Sequence, residues 1–240
     1  MDPLSSRAAR LAADLLCPER CAACPALVPS AHVFCRACQT HVNVLGPPEC
    51  AHCGAPLAPG SARAHCPPTP NPPIRQVRAW GAYRGDGELS PLAKALAAFK
   101  YHGALRLARR LAASMVPRIP DPAVAVVVPV PLHPRKLRAR GYNQSAVLAR
   151  HIARALGRPT TPSLLRRTRD TPSQTALSAR ARAANVTGAF AVAQPERVLD
   201  LVVLLVDDVW TSGATARAAA AALRGAGARA VDVITLARVL

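Results

Sequence analysis

Between Val203 and Thr215 the chain passes from an apolar run, Val203-Leu204-Leu205-Val206, into two adjacent carboxylates, Asp207 and Asp208. Val209-Trp210 follows, then a short turn, Thr211-Ser212-Gly213, and an alanine-rich stretch opening with Ala214-Thr215. The pattern predicts a buried strand that turns sharply into a helix. Such a junction gathers backbone N–H groups at the positive end of the helix, where an anion is held. Two side-by-side carboxylates ahead of it accept hydrogen bonds from vicinal hydroxyls. The stretch therefore reads as a sugar-phosphate site, with Asp207 and Asp208 on the ribose hydroxyls and Thr211, Ser212, Gly213, Ala214 and Thr215 on the 5-phosphate. An ordinary capped βα turn contains each element singly; the doubled acid, the Thr-Ser-Gly turn and the second Thr in fixed register point to phosphate.

From about Val77 onward the apolar pattern alternates between strand and helix periods. Val77–Tyr83 reads as a strand, Ser90-Pro91 as the start of a helix to Lys100, and residues 104–116 as a second, amphipathic helix. Val124–Val130 and Leu201–Val206 are continuous apolar runs of the buried parallel kind. Between them lie a helix over Asn143–Leu156 and a short strand near Pro162–Arg166. Ala214–Arg224 reads as a helix ended by Gly225 and Gly227, and Val231–Leu236 as a last strand. The fold class is α/β, with a mostly parallel sheet flanked by helices. Ligands of such sheets bind beyond the carboxyl ends of the strands.

Two further loops fall at that end. The first carries Arg135, Lys136, Arg138 and Arg140 before Asn143 and Gln144, and four cations after a buried strand suit a pyrophosphate group. The second runs from Arg166 through Gln174 to Phe190. It is long and polar, the character of a lid that excludes water.

All eight cysteines precede residue 67. Cys21–Cys24, Cys35–Cys38 and Cys50–Cys53 are CxxC pairs, and two such knuckles supply the four thiolates of a structural zinc site. Cys21, Cys24, Cys35 and Cys38 form the complete set. Cys50, Cys53 and Cys66 resemble a second set that lacks its fourth ligand, with Thr69 where the last cysteine would fall. His65, His52 or Cys17 completes that set, or it has lost its metal. A disulfide framework suits small secreted proteins, and residues 1–16, broken by Arg7, Arg10 and Asp14, do not form a secretory signal core. No apolar run reaches the roughly 18 residues of a membrane span, so a cytoplasmic location is expected. Residues 67–73 include five prolines and read as a semi-rigid spacer. The expected division is a zinc-ribbon-like domain over 1–66, a linker over 67–76 and a second domain over 77–240.

The formal net charge is +18. Residues 135–182 hold twelve cations against one acid, Asp170, a block that favours an anionic partner. Three Tyr, three Phe and two Trp leave little for base stacking.

The pattern hydrophobic–Asp–Asp–x–x–Thr–Ser/Thr–Gly–x–Thr resembles the hallmark of the type I phosphoribosyltransferases. Together with the cysteine-rich head, Lys100-Tyr101-His102-Gly103, Arg140-Gly141-Tyr142-Asn143-Gln144 and the segment Gln174–Phe190, it is similar to the ComF/GntX family over nearly the whole chain. That resemblance implies an N-terminal zinc finger joined to a phosphoribosyltransferase domain. It implies phosphoribosyl pyrophosphate bound with Mg²⁺, and transfer of the phosphoribosyl group to an acceptor that the residues do not name. It also implies handling of single-stranded DNA with the competence machinery; a regulatory protein that senses phosphoribosyl pyrophosphate is a third reading. Gln174–Phe190 also resembles glutamine-dependent amidophosphoribosyltransferases. Those require an N-terminal nucleophilic Cys; this chain begins Met1-Asp2, so no glutaminase activity is expected.

Overall fold

The computed structural model describes residues 18–58, 66, 72–83, 90–169 and 188–240. Its centre is a five-stranded sheet with β3 (Asn43–Val44), β4 (Gln76–Tyr83), β9 (Ala230–Val239), β8 (Val202–Trp210) and β5 (Val126–Pro129) side by side in that order. β4, β9, β8 and β5 are mutually parallel. Ahead of β3 in the chain lie a small hairpin of β1 (Glu19–Arg20) and β2 (Leu27–Val28) and one helical turn, α1 (Arg36–Gln39). The helices of the body are α2 (Pro91–Tyr101), α3 (Leu107–Met115), α4 (Pro134–Arg140), α5 (Gln144–Leu156) and α6 (Ala214–Gly225). β6 (Leu165–Arg167) and β7 (Phe190–Val192) form a separate antiparallel pair.

The sheet divides the core into two layers. On one face Leu204, Val206 and Ile234 pack with Leu92, Phe99, Leu111 and Leu148 from α2, α3 and α5. On the other, Val203, Leu205, Val231 and Val233 pack with Val128, Ala219 and Leu223. From Val202 to Val206 the even and odd positions of β8 thus serve opposite layers, as strand geometry requires.

The helices begin where capping residues stand. Ser90 Oγ accepts from the Ala93 N–H at 3.3 Å, with Pro91 in the first turn of α2. Asn143 Oδ1 accepts from the Ser145 and Ala146 N–H groups at 3.0 and 3.4 Å. The Asn143 amide also donates to the Val130 carbonyl at 3.0 Å, so the cap ties the start of α5 to the end of β5. These are N-cap bonds of the ordinary kind, and here they fix where Gln144 and Ser145 stand.

Two elements differ from the sequence reading. β8 continues through both acids to Trp210 instead of ending at Val206, because β9 runs beside it, with Asp207 opposite Thr235 and Trp210 opposite Arg238. The basic stretch after β5 forms α4, capped by His133 Nδ1 on the Arg135 N–H at 3.4 Å and ended by Gly141 in the left-handed region.

The cysteine-rich head is bound closely to the body. β3 pairs antiparallel with β4, Asn43 opposite Ala82 and Val44 opposite Gly81. Phe34 stacks on Trp80 at 6.2 Å. Glu49 bridges Arg78 at 3.0 Å and Arg118 at 2.5 Å. Arg110, on α3 and almost fully buried, donates to the His32 carbonyl at 2.6 Å, the Arg20 carbonyl at 3.3 Å and the Glu19 carboxylate at 3.1 Å. Arg110→Ala would leave those three acceptors unsatisfied at the seam, and loss of a buried charged donor costs about 3 kcal/mol. The expected result is an unfolding free energy, read from chemical denaturation, lowered by that amount; a change under about 0.5 kcal/mol would show that water replaces the guanidinium without loss.

Candidate functional site

At the carboxyl ends of β5 and β8 lies a cavity of about 840 Å³. Asp207, Asp208, Thr211, Ser212 and Thr215 line one wall. Gln144, Ser145, Val130, Pro131 and Leu132 line another, and Tyr83, Ala93, Leu96, Ala97, Lys100, Tyr101, Arg167, Val209 and Val239 complete it.

Both carboxylates meet the start of α5. Asp208 is 5% exposed; it accepts from the Gln144 amide at 2.5 Å and pairs with the Lys100 ammonium at 3.1 Å. Asp207 accepts from the Ser145 hydroxyl at 3.0 Å and from the Asp208 N–H at 2.9 Å. The positive end of α5 adds its own field to these hydrogen bonds. Burial and the neighbouring Asp208 charge nonetheless push the Asp207 carboxyl up to about 7, against the hydrogen bonds that favour its ionised form. For Lys100, burial works against the ammonium, but Asp208 and Asp207 outweigh it and hold its pKa above the usual lysine value.

The turn after β8 owes its shape to Gly213, whose φ is +73°. A β-carbon there would stand 2.3 Å from Trp210 Cζ2, so glycine alone fits. Ser212 Oγ accepts from the Ala214 N–H at 3.4 Å, and Ala214 opens α6. Donors from the turn and the helix start thus converge beside the carboxylates, an arrangement suited to a phosphorylated polyol.

The remaining candidates distribute as follows. Asn143 caps α5, and Gln144 is committed to Asp208 and also accepts from Arg140 at 2.7 Å. Arg140 also lies 5.0 Å from the ring centroid of Tyr101, so it stands at the rim on two lining residues. Arg135, Lys136 and Arg138 belong to α4 and do not line the cavity. Gln174 lies outside the described residues. Lys100, Ser145 and Arg167 are lining residues that sequence reasoning did not assign to the site. Lys100 stood in the Lys-Tyr-His-Gly stretch already singled out, but its partner Asp208 is 108 positions away and only packing joins them.

In the head, the sulfurs of Cys21, Cys24, Cys35 and Cys38 all lie within 4.8 Å of one another. Cys24 and Cys35 are 3.7 Å apart, near the edge of about 3.8 Å for a tetrahedron with 2.3 Å zinc–sulfur bonds. Cys21 Sγ accepts from the Cys35 and Ala23 N–H groups at 3.3 and 3.5 Å. Burial opposes the Cys21 thiolate, but these donors prevail and bring its pKa down to about 7. The set fits structural zinc. Cys50, Cys53 and Cys66 form a second group on the same criterion, with Cys50 and Cys66 3.6 Å apart. Among the described residues this group holds three ligands. His52 Nδ1 is 3.0 Å from the Arg75 carbonyl, and His65 and Cys17 lie outside the described residues. All described cysteines are free of disulfides.

The raised Asp207 pKa has a consequence for stability. Folded Asp207 keeps its proton to about pH 7, whereas an unfolded one loses it near 3.9. Its contribution is complete below about pH 4 and is lost as pH rises through 7. Asp207→Asn removes the titration, so wild type should lose stability relative to the variant between pH 4 and 7. Parallel denaturation curves at several pH values read this out, and a constant difference would refute it.

The chain matches the double zinc ribbon domain over residues 12–68 and the phosphoribosyl transferase domain over residues 143–240. It is 29% identical over 214 residues to competence protein F of Haemophilus influenzae, covering 85% of this chain and 90% of that protein. It is 40% identical over 114 residues to DNA utilization protein YhgH of Escherichia coli K12, covering 48% of this chain and about half of that relative's length, 49%. Among solved structures, a glutamine phosphoribosylpyrophosphate amidotransferase from B. subtilis superposes with a TM-score of 0.40 at 23% identity, covering 58% of this chain and 30% of that one. No helix among the described residues is long and apolar enough to cross a membrane. A double zinc ribbon joined to a phosphoribosyltransferase domain, with likeness to competence protein F along most of its length, fits a ComF family protein.

Proposed function

We propose that the cavity binds phosphoribosyl pyrophosphate with Mg²⁺ and transfers its phosphoribosyl group to an acceptor. The observation that carries this reading is the placement of Asp207 and Asp208 beside the Thr211–Thr215 turn in one cavity. The carboxylates accept from the ribose hydroxyls, and the turn and the start of α6 donate to the 5-phosphate. Lys100 and Arg167 supply positive charge within the wall and Arg140 stands at its rim; these are the cations nearest the pyrophosphate, with Arg135, Lys136 and Arg138 on α4 outside the lining. Asp207 and Asp208 are the carboxylates that would hold Mg²⁺ bound with the substrate, and the ion would supply neutralisation of charge on the leaving group. Transfer forms a bond from the acceptor to C1 as the bond from C1 to the pyrophosphate oxygen breaks. The bonding electrons leave with pyrophosphate, and the acceptor loses its proton. Charge developing on the ribose is met by fixed carboxylates in a buried setting.

Asp207 is a full acceptor only when ionised, so affinity for phosphoribosyl pyrophosphate should rise between pH 6 and 8. Calorimetry should show binding with Mg²⁺ present and a loss of at least tenfold in Asp207→Asn/Asp208→Asn, about 1.4 kcal/mol or more. Equal affinity in wild type and the double variant would make the carboxylates structural. Binding without pyrophosphate release, whatever acceptor is offered, would leave a sensor of phosphoribosyl pyrophosphate.

A second reading, contact with single-stranded DNA, is favoured by how the charges are distributed. Glu19, Glu49, Asp121, Asp208 and Asp232 are all committed to ion pairs with the body's own cations. Arg106, Arg109, Arg150, Arg154 and Arg158 are exposed on or beside α3 and α5. Burial first, and then Arg154, Arg109 and Arg150, depress the pKa of His151 among them. This ridge suits a phosphodiester backbone more than a small ligand. Replacing Arg109, Arg150 and Arg154 by Ala should flatten the log–log salt dependence of single-strand binding by about 2, at about 0.7 per phosphate. An unchanged slope would place the contact elsewhere, and no binding at low salt would remove this reading.

A further inference from the structure

Trp210, the last residue of β8, lies between two arginines that the cavity does not contain. The guanidinium carbons of Arg217 and Arg238 stand 5.6 and 5.9 Å from its ring. Each arginine also grips a backbone carbonyl, and the two carbonyls belong to different parts of the molecule. Arg238 donates to the carbonyl of Cys53 at 2.7 Å, inside the second cysteine group. Arg217, on the first turn of α6, donates to the carbonyl of Ser212, inside the turn beside the carboxylates. Cys53, Cys66, Trp210 and Arg217 line one cavity of about 290 Å³.

This network fixes the direction of a donor. A peptide unit is planar, so the carbonyl of Ser212 and the N–H of Gly213 point in opposite directions. Pinning the Ser212 oxygen on Arg217 sets where the Gly213 N–H is aimed. The Trp210 ring against Gly213 blocks rotation on that side. A chain of contacts therefore runs from the Cys53 backbone through Arg238, Trp210 and Arg217 to the turn.

We propose that Arg217 and Arg238 are positioning residues through which metal at Cys50, Cys53 and Cys66 sets the conformation of the Thr211–Thr215 turn and hence its hold on phosphate. The inference rests on the reading of that turn as a phosphate site. Metal bound by the three thiolates fixes the knuckle that carries the Cys53 carbonyl, and so fixes the arginine-tryptophan stack behind the turn. Linkage then runs both ways: phosphate on the turn tightens metal at the cysteines by the same factor.

The test uses the full chain, loaded with zinc, carrying Trp80→Phe so that Trp210 is the remaining tryptophan of the two. Trp210 emission, zinc content and affinity for ribose 5-phosphate are measured. Cys66→Ser should shift the emission and weaken ribose 5-phosphate by roughly tenfold, within the usual range of coupling between sites. Arg217→Ala should weaken it by a similar factor with zinc retained, Arg217→Lys should restore part of the loss, and Cys66→Ser added to Arg217→Ala should weaken it no further. Cys24→Ser, at the other group, serves as the control and should leave Trp210 emission unchanged. Additive losses, an emission unmoved by Cys66→Ser, or an equal shift from Cys24→Ser would each overturn the proposal. If ribose 5-phosphate binds none of the proteins, the phosphate reading of the turn falls, and the emission data still decide whether the second group reaches Trp210.

Discussion

Two adjacent carboxylates at the end of a buried strand repel each other and lose their water, and the rest of the site is arranged around that difficulty. The N-terminus of α5 meets it with the Gln144 amide, the Ser145 hydroxyl and the end of the helix dipole, and Lys100 supplies a compensating charge. This requires α5 to begin at one place only. Asn143 secures that by capping the helix with one end of its amide and bonding the β5 carbonyl with the other. Compensation is incomplete, as the raised Asp207 pKa records. Fold stability is thus given up at the point where an anionic or hydroxylated ligand, with its own cation, would relieve the repulsion.

Much of this was legible because the signals are local. The apolar runs, the Thr-Ser-Gly turn and the caps Ser90 and Asn143 lie within a few residues of what they determine, and each stands at the element expected of it. The four cysteines of the first zinc group are legible for the same reason, since CxxC spacing itself brings two sulfurs together. Other features depend on packing between distant segments. Lys100 meets Asp208 only after α2 lies on the sheet, and Arg167 reaches the cavity only after β6 pairs with β7. The full length of β8 depends on β9, because a polar pair at the end of an apolar run reads as the end of a strand when its neighbour is not in view. α4 was a partial case: Pro134 at its first turn and Gly141 just past its end are helix signals, obscured by four cations that read equally well as a loop.

The head and the body are joined by interactions of several kinds, none dependent on the proline-rich segment between them. A strand pairing, an aromatic stack, a shared glutamate and a buried arginine all cross the seam. Zinc in the head therefore acts on more than the head. Zinc on Cys21, Cys24, Cys35 and Cys38 would hold the loops that supply the Glu19, Arg20 and His32 acceptors of Arg110, and a buried guanidinium needs its acceptors in place.

The pairing of β3 with β4 reaches beyond the site. β4 would otherwise be the outer strand of a parallel sheet, with a row of unpaired peptide groups turned outward and open to pairing with any other extended chain. The head covers part of that row with Asn43 and Val44. A body cut free of its head would gain a sticky margin and tend to assemble edge to edge, so for this architecture the ribbon protects solubility as well as carrying metal.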